Sequence, residues 1–591
     1  MVNRKPGTLG ALIAGAVVLS LAACGGGDST PSGGSTSGGG GGADGDKKGG
    51  TLYVMSGGDQ ISHLDPQRNY TGVDLNFAGA FVHRTLTTYA IGEGTKGTEI
   101  VPDLATDTGK AENDAKKWTF TLRDGVTFED GSPITCADIK YGVSRTFAQD
   151  VITDGPTYAI SMLDIPKKDG KSIYTGPYKA TPEGQAAFDK SIECSADGKT
   201  ISFNLSRPVP DFNGALTLLS FGPVPKAKDT GEKYDMAPVS SGPYKIESYT
   251  EKKSLVLVRN TNWKAESDPV RKAYPDKVVM LFSLNPQVVD SRIEKSAGED
   301  AFAVANDNID PGDLAKLFGN AALKDRLSDQ LDPFSRYYAV NTKKVPNVKH
   351  RQALMAALDR EALRKVAGGS YAGDLGDGAL KPNIGQDYAP TGIWEGGLGE
   401  PVPDTGNVEL AKKLITESGA TPPEIVFDYA KAKDDQTADK AAALAKASWE
   451  KAGFKVKLNP IEQSAYYPTV LDPAKQGSVS GAGWGPDWLN ASTVIPELFT
   501  PEGGFPMSQW DDKAFIAKVD DAKVTLDRAE QAKKWQAINK EAVELGLIIP
   551  TRHSKEQLIF GTKVKTASFD GKPYTNPAFG GPSFADLYLV K

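Results

Sequence analysis

Two stretches of this chain have the tail of a phosphate-binding loop, Gly170-Lys171-Ser172 and Gly198-Lys199-Thr200. The earlier glycine that such a loop requires is Ile165 in one and Glu193 in the other, so neither can form the cradle of amides that holds a phosphate. There is no G-x-S-x-G nucleophile elbow and no H-E-x-x-H pair. The four histidines, His63, His83, His350 and His553, do not fall at metal-ligand spacing and read as structural or surface residues. The sequence therefore supplies no recognisable nucleophile–base pair, metal pair or phosphate loop. A further cluster is Gly483-Trp484-Gly485-Pro486-Asp487-Trp488, a carboxylate among indoles and glycines. Glycines let another backbone approach closely. Trp484 and Trp488 read equally as pocket walls or core, and Asp487 after a proline reads equally as a turn cap.

The elements that must position this cluster belong to a long exported chain. Its 591 residues are 39% hydrophobic and 24% charged, enough for two to four lobes with a sizeable core. A net charge of −7 argues against a nucleic-acid partner. Arg4 and Lys5 precede an apolar run from Leu9 to Ala23 that suits a signal peptide better than a membrane span. The run ends in Leu21-Ala22-Ala23-Cys24, which resembles a bacterial lipobox. That resemblance implies cleavage after residue 23, lipidation of Cys24 and a lipid anchor on the outer face of the cytoplasmic membrane. An ordinary signal peptide with an incidental Cys24 is the other reading. Residues 25–50 are Gly/Ser-rich and read as a flexible tether. Two cysteines remain, Cys136 and Cys194; in an exported chain they suggest one disulfide, with two buried thiols as the alternative.

Along the body, short strands alternate with helices. Trp118 to Arg123 alternates apolar and polar, Asp124-Gly125 turns, and Val126 to Phe128 resumes the alternation. Thr135 with Asp138 opens a helix to about Phe147, and Ile201 to Leu205 is another strand. Strands are expected at Ser254–Arg259 and Lys277–Phe282, and one helix from Val348 to Ala367 closed by Gly368-Gly369. A second helix carries Leu410 and Leu414 and stops at Gly419. Ile425–Tyr429, a helix ending at Gly453, and Phe454–Leu458 form a strand–helix–strand unit with parallel pairing. Asp511 to about Leu545 is mostly helical, and Leu547–Thr551 is a strand that could return the chain to its first lobe.

Several segments, in order, resemble the peptide/nickel branch of the bacterial solute-binding proteins of ABC importers. They are Leu64-Asp65-Pro66, the run Trp118 to Asp138, Ser241-Gly242-Pro243-Tyr244-Lys245-Ile246, Val348 to Arg360, and Gly483 to Trp488. The resemblance implies an α/β fold: a two-lobed periplasmic-binding-protein clamp of type II with an added α+β accessory domain. Lobe I would comprise 51–100, 238–330 and 550–591, the accessory domain 101–237, and lobe II 331–549.

It further implies a monomeric, non-enzymatic capture protein that closes on a peptide ligand and delivers it to permease and ATPase subunits. Asp487 would pair with the ligand's free ammonium, and Gly483 and Gly485 would admit its main chain as an added strand. Trp484 and Trp488 would wall its pockets, and Tyr70, Thr71, Gly72 and Val73 would face it from lobe I. Pro486 and Trp488 stand where the family carries Ala and Tyr, and Pro486 lacks an N–H. Another cargo for the same clamp (a metal chelate, an oligosaccharide, an opine or haem), a peptide-signal receptor and an anchored hydrolase are the competing readings.

Overall fold

The computed structural model describes residues 45–431 and 436–591. The apolar N-terminal run, Cys24 and most of the tether lie outside the described residues. Strand β1 (Thr51–Met55) starts the body, and α1 (Gly72–Phe81) follows a loop through Asp65 and Tyr70. The chain then enters a small antiparallel sheet, β2 (Lys110–Glu112), β3 (Lys117–Thr121), β4 (Ile192–Cys194) and β5 (Thr200–Asn204), in the order β2-β3-β5-β4. Its alternation decides its faces: Phe203 opposes Trp118, Ile201 opposes Phe120, and all four are buried. Helices α2 (Cys136–Arg145) and α3 (Tyr158–Met162) are inserted between these strands. At the start of α2 the Asp138 carboxylate accepts from the Thr135 amide at 2.9 Å and from Thr135 Oγ1 at 2.7 Å.

Cys136 and Cys194 are bonded, joining the first turn of α2 to β4 across a sequence separation of 58. Val126 and Phe128 are buried as their alternation suggests, but they form no strand. The Phe128 amide and the Val126 carbonyl are satisfied across the Asp130-Gly131 turn, where Phe128 N–H bonds to Ser132 and Ile134 N–H bonds to Val126.

The chain returns with β6 (Tyr244–Thr250), β7 (Ser254–Arg259), β8 (Lys277–Leu281) and β9 (Ala303–Ala305), giving a five-stranded sheet ordered β6-β7-β8-β1-β9. β8 and β9 flank β1 in parallel, so the start of the body is the centre of this lobe. Strand β10 (Leu327–Val340) then leads out into the second lobe. The expected single helix from Val348 is two, α4 (Val348–Ala357) and α5 (Arg360–Val366). The break falls at Leu358, which is extended, and Asp359 caps the new helix by accepting from Ala362 N–H at 2.8 Å. Aspartate offers the backbone this alternative to a continuous helix.

Strand β11 (Gly373–Leu375), α6 (Val408–Glu417), β12 (Ile425–Lys431), α7 (Gln436–Lys451), β13 (Val456–Glu462), α8 (Gln463–Val470) and β14 (Val479–Trp484) follow. β12 and β13 are parallel, as the strand–helix–strand reading requires. Helices α9 (Lys513–Val524) and α10 (Arg528–Glu544) precede β15 (Ile548–Ile559), and the six-stranded sheet runs β11-β15-β10-β14-β12-β13. β15 begins in the second lobe's core at Ile548 and reaches the first lobe's at Leu558, with Phe560 just beyond its end. Each lobe and the small sheet has its own buried cluster. Among the described residues no helix is long and apolar enough to cross a membrane.

Removing the disulfide frees a loop of this length, an entropic loss of roughly 2–4 kcal/mol. Replacement of both cysteines by serine is expected to lower the unfolding temperature. Reductant should lower that of the native chain alike and leave the variant unaffected, as followed by circular dichroism.

Candidate functional site

β14 is paired on one edge with β10, from Val479↔Val340 to Trp484↔Ser335. On its other edge it meets β12 only at Val479 and Ser480, because β12 leaves to continue along β13. Val340 N–H points to Leu547 on the β15 side, and the Gly481 carbonyl accepts from Tyr466 Oη at 2.6 Å. That phasing turns the amides of Gly481 and Gly483 away from β10 and toward the edge β12 has left. The space over Gly483 and Gly485 is used by this chain's own side chains. A Cβ on Gly483 would stand 2.5 Å from Arg336 Nη1, and one on Gly485 3.1 Å from the Phe334 ring.

Asp487 follows at the end of this edge. Its Oδ2 accepts from Tyr70 Oη at 3.0 Å and from Tyr158 Oη. Tyr70 belongs to the loop before α1 and Tyr158 opens α3, so one carboxylate ties the second lobe to the first lobe and to the accessory domain. No hydrogen bond among the described residues reaches Oδ1. Burial pushes the Asp487 carboxyl up to about 7; nearby Glu497 adds to the rise and the two phenols oppose it. Burial and the Asp487 charge hold both phenols well above the ordinary tyrosine range, so they remain donors.

Trp484 is partly buried; its Nε1 donates to the Thr493 carbonyl at 2.8 Å and its ring lies 4.5 Å from that of Phe505. Trp488 lines no open pocket. It is 3% exposed within the accessory-domain core, edge-on to Tyr158 at 4.7 Å, with Nε1 on Asp211 at 2.7 Å. A Cβ on Gly214 would sit 2.5 Å from its indole, so only glycine admits it there. Ser492 Oγ shares Asp211, and Leu489 N–H bonds to Tyr89 Oη at 3.0 Å. Segment 484–493 is thus the second lobe's docking face.

Thr71 is turned inward onto Asp74 at 2.7 Å, and Val73 is partly buried in the first turn of α1, near Gly581. The structure brings Tyr70 to Asp487 and leaves Thr71 and Val73 to the helix start. Tyr158, Tyr89 and Asp211 carry no sequence signal; only the tertiary arrangement brings them to segment 484–493. The histidines are engaged locally: His63 with Asp235, His83 with the Leu64 carbonyl, His350 with Ser418 and His553 with Asp377.

This geometry can be set beside known proteins. Residues 99–506 match the family model for the bacterial extracellular solute-binding proteins, family 5. The chain belongs to that family. The periplasmic oligopeptide-binding protein OppA of Salmonella typhimurium is 26% identical over 514 residues, covering 84% of this chain and 86% of the relative. The periplasmic murein peptide-binding protein MppA of Escherichia coli is 25% identical over 550 residues, covering 90% and 92%. Among solved structures, the clavulanic acid biosynthesis oligopeptide binding protein 2 superposes with a TM-score of 0.80 at 26% identity, over 92% of this chain and 96% of that one. DppA from Helicobacter pylori, solved with the peptide STSA, gives 0.68 at 19% over 93% and 99%, a likeness of fold alone. This family-5 protein therefore has the two-lobed α/β clamp with an accessory domain, and its class is solute binding.

The raised Asp487 carboxyl has a pH signature. It keeps a proton from the ordinary aspartate value of 3.8 up to about 7, a window in which the unfolded chain has lost it. The folded state binds more protons there, so the stability this group confers is full below about pH 4 and is lost as pH rises through about 7. Without ligand, the unfolding temperature is expected to fall between pH 5 and pH 8 by more in the native chain than in Asp487→Asn, measured by differential scanning calorimetry across that range (roughly one titration either side of neutrality).

Proposed function

We propose that this family-5 protein is the lipid-anchored capture component of an ABC importer and takes peptides with a free amino terminus into the cleft between its lobes. The observation that carries the reading is Asp487: one oxygen is held by phenols from two other bodies, no hydrogen bond among the described residues reaches the other, and the residue follows the edge of β14 that β12 leaves uncovered. An ammonium removed from water needs such a counter-charge. Main chain laid along the Gly481–Gly483 edge is read by its amides and not by its side chains, which suits a ligand of varied sequence. Of the four named proteins, three are peptide-binding proteins by name, which supports the same class. Closure would bring Trp488 into the accessory domain and Asp487 to Tyr70 in one movement. The division into lobe I (51–100, 238–330, 550–591), accessory domain (101–237) and lobe II (331–549) is supported by the three sheets and their separate cores.

The test is titration calorimetry with short peptides. Ala-Ala-Ala is expected to bind the native chain at least ~10-fold more tightly than its N-acetyl form, because one charge-assisted contact is worth about 1.5–3 kcal/mol. Asp487→Asn should erase that difference. Binding at pH 6 should release a proton from Asp487, visible as a heat that varies with buffer. Indifference to N-acetylation would remove the ammonium assignment, and no response to any peptide would remove the peptide class. Mass spectrometry of a co-purifying ligand would then reveal another cargo, such as an opine.

The anchor is tested separately. Cys24→Ser is expected to move the protein from the membrane fraction to the soluble exported fraction, read by fractionation and immunoblot. Retention in the membrane would overturn lipidation at Cys24.

A further inference from the structure

A cavity on the first lobe, away from the cleft, has no part in the reading above. It holds about 600 Å³, within the range of small-molecule sites. Three lysines line it, Lys47, Lys96 and Lys272, against one acid, Asp586. Asp586 is buried and engaged: Oδ2 accepts from the Ser568 amide at 3.0 Å and Oδ1 from Tyr574 Oη at 3.2 Å. Neither Lys96 nor Lys272 has an ion pair among the described residues. The Lys96 stem is folded onto Gly92, where a Cβ would stand 2.7 Å from its Cδ. The Lys272 amide donates to the Ala585 carbonyl at 3.0 Å, which fixes that side of the wall. Much of the remaining wall is apolar, with Ile91, Val101, Pro102 and Val270. Cations set among apolar side chains suit an amphiphile with an anionic group.

The chain enters its folded body beside this cavity. Lys47 Nζ lies 5.7 Å from the Tyr274 ring and 5.5 Å from the Tyr588 ring, which meet edge-on at 6.1 Å. Gly49 N–H donates to the Tyr274 carbonyl at 2.9 Å, and Gly50 N–H to Asp276 Oδ2 at 3.1 Å. Lys47 is thereby fixed to the first lobe. The chain from Cys24 to Lys47 spans at most about 80 Å when fully extended. With Cys24 in the membrane as proposed above, the cavity is leashed within that distance of a phospholipid surface.

We propose that the cavity lined by Lys47, Lys96 and Lys272 binds the headgroup of an anionic phospholipid and so rests the first lobe on the membrane. The phosphate oxygens accept from the ammonium groups. The glycerol and first methylenes lie along Ile91, Val101 and Val270. The whole chain carries −7, so its average field opposes an anionic surface and a local site is needed to hold it there. The choice of a lipid over free phosphate rests on the anchor reading; the cation-lined cavity does not.

Vesicle sedimentation tests the site. The chain from Gly25 onward keeps every described residue and lacks both the apolar run and Cys24, so the result is independent of the anchor. It is expected to sediment with mixed vesicles of phosphatidylglycerol and phosphatidylcholine and to stay in the supernatant with phosphatidylcholine alone. Each lysine near an anionic surface is worth about fivefold in affinity. The double variant Lys96→Gln, Lys272→Gln should therefore lower the partition coefficient roughly 25-fold. Lys167→Gln with Lys168→Gln makes the same charge change on an exposed accessory-domain hairpin and should leave binding intact. No sedimentation with the mixed vesicles, or equal loss in both double variants, would overturn the site. Calorimetry separates the two sources of phosphate: a short-chain phosphatidylglycerol, below its micelle concentration, is expected to bind at least ~10-fold more tightly than inorganic phosphate. Phosphate binding as tightly as the lipid would overturn the headgroup assignment.

Discussion

The ladder between β10 and β15 is the constraint on which the rest of the molecule hangs. Both strands run from one lobe into the other, and they are antiparallel partners for most of their length. The pairing lapses between Leu331 and Ser335. Lys381 fills the lapse: its ammonium donates to the Asp332 carbonyl and carboxylate, the Phe334 carbonyl and the Ser554 carbonyl, at 2.5 to 3.0 Å. Burial brings that lysine down to about 8, with Asp332 opposing the fall. One side chain therefore supplies the bonds the backbone gives up where the two lobes join. A continuous ladder would be stiff; a lapse without a donor would leave carbonyls unsatisfied in the interior.

The position of Tyr70 opposite Asp487 follows from a second fixed point. Asp65, fully buried, receives both terminal nitrogens of Arg145 on α2 at 2.7 and 2.6 Å, and Arg145 also stacks 4.8 Å from the Tyr234 ring. Asp235 takes the amides of Leu64 and Asp65 at 2.7 and 2.8 Å. The loop that ends in Tyr70 is thereby clamped to the accessory domain that carries Tyr158. The two phenols meeting at one carboxylate oxygen are parts of one preassembled surface, and the second lobe brings the carboxylate to it.

What was legible in the sequence divides along physical lines. Alternation at Trp118–Phe120 and Ile201–Phe203, the Thr135/Asp138 cap and the stop at Gly453 are local, and the structure has the strands, the helix start and the helix end they imply. The break at Leu358 was hidden because helical periodicity continues through it and only the side chain of Asp359 decides otherwise. Val126–Phe128 shows the converse, a pattern of burial with no sheet to join. Asp487 and Tyr70 came from a resemblance of ordered motifs. Tyr158 and Asp211 had no such route, since each meets its partner only across a long stretch of sequence. Trp488 reads equally as pocket wall or core, because sequence cannot say which of three bodies an indole will enter.

That indole also changes what the accessory domain is. Its hydrophobic core is completed by a residue from another body, seated over Gly214 and edge-on to Tyr158. Withdrawing a buried tryptophan exposes roughly 150–250 Å², on the order of 4–6 kcal/mol at most. If the clamp opens as proposed, the accessory domain would be left with a vacated socket, and its folding free energy would become a function of how far the clamp is shut. The domain's resistance to local unfolding and to proteases would then rise and fall with occupancy of a cleft whose ligand it need not touch.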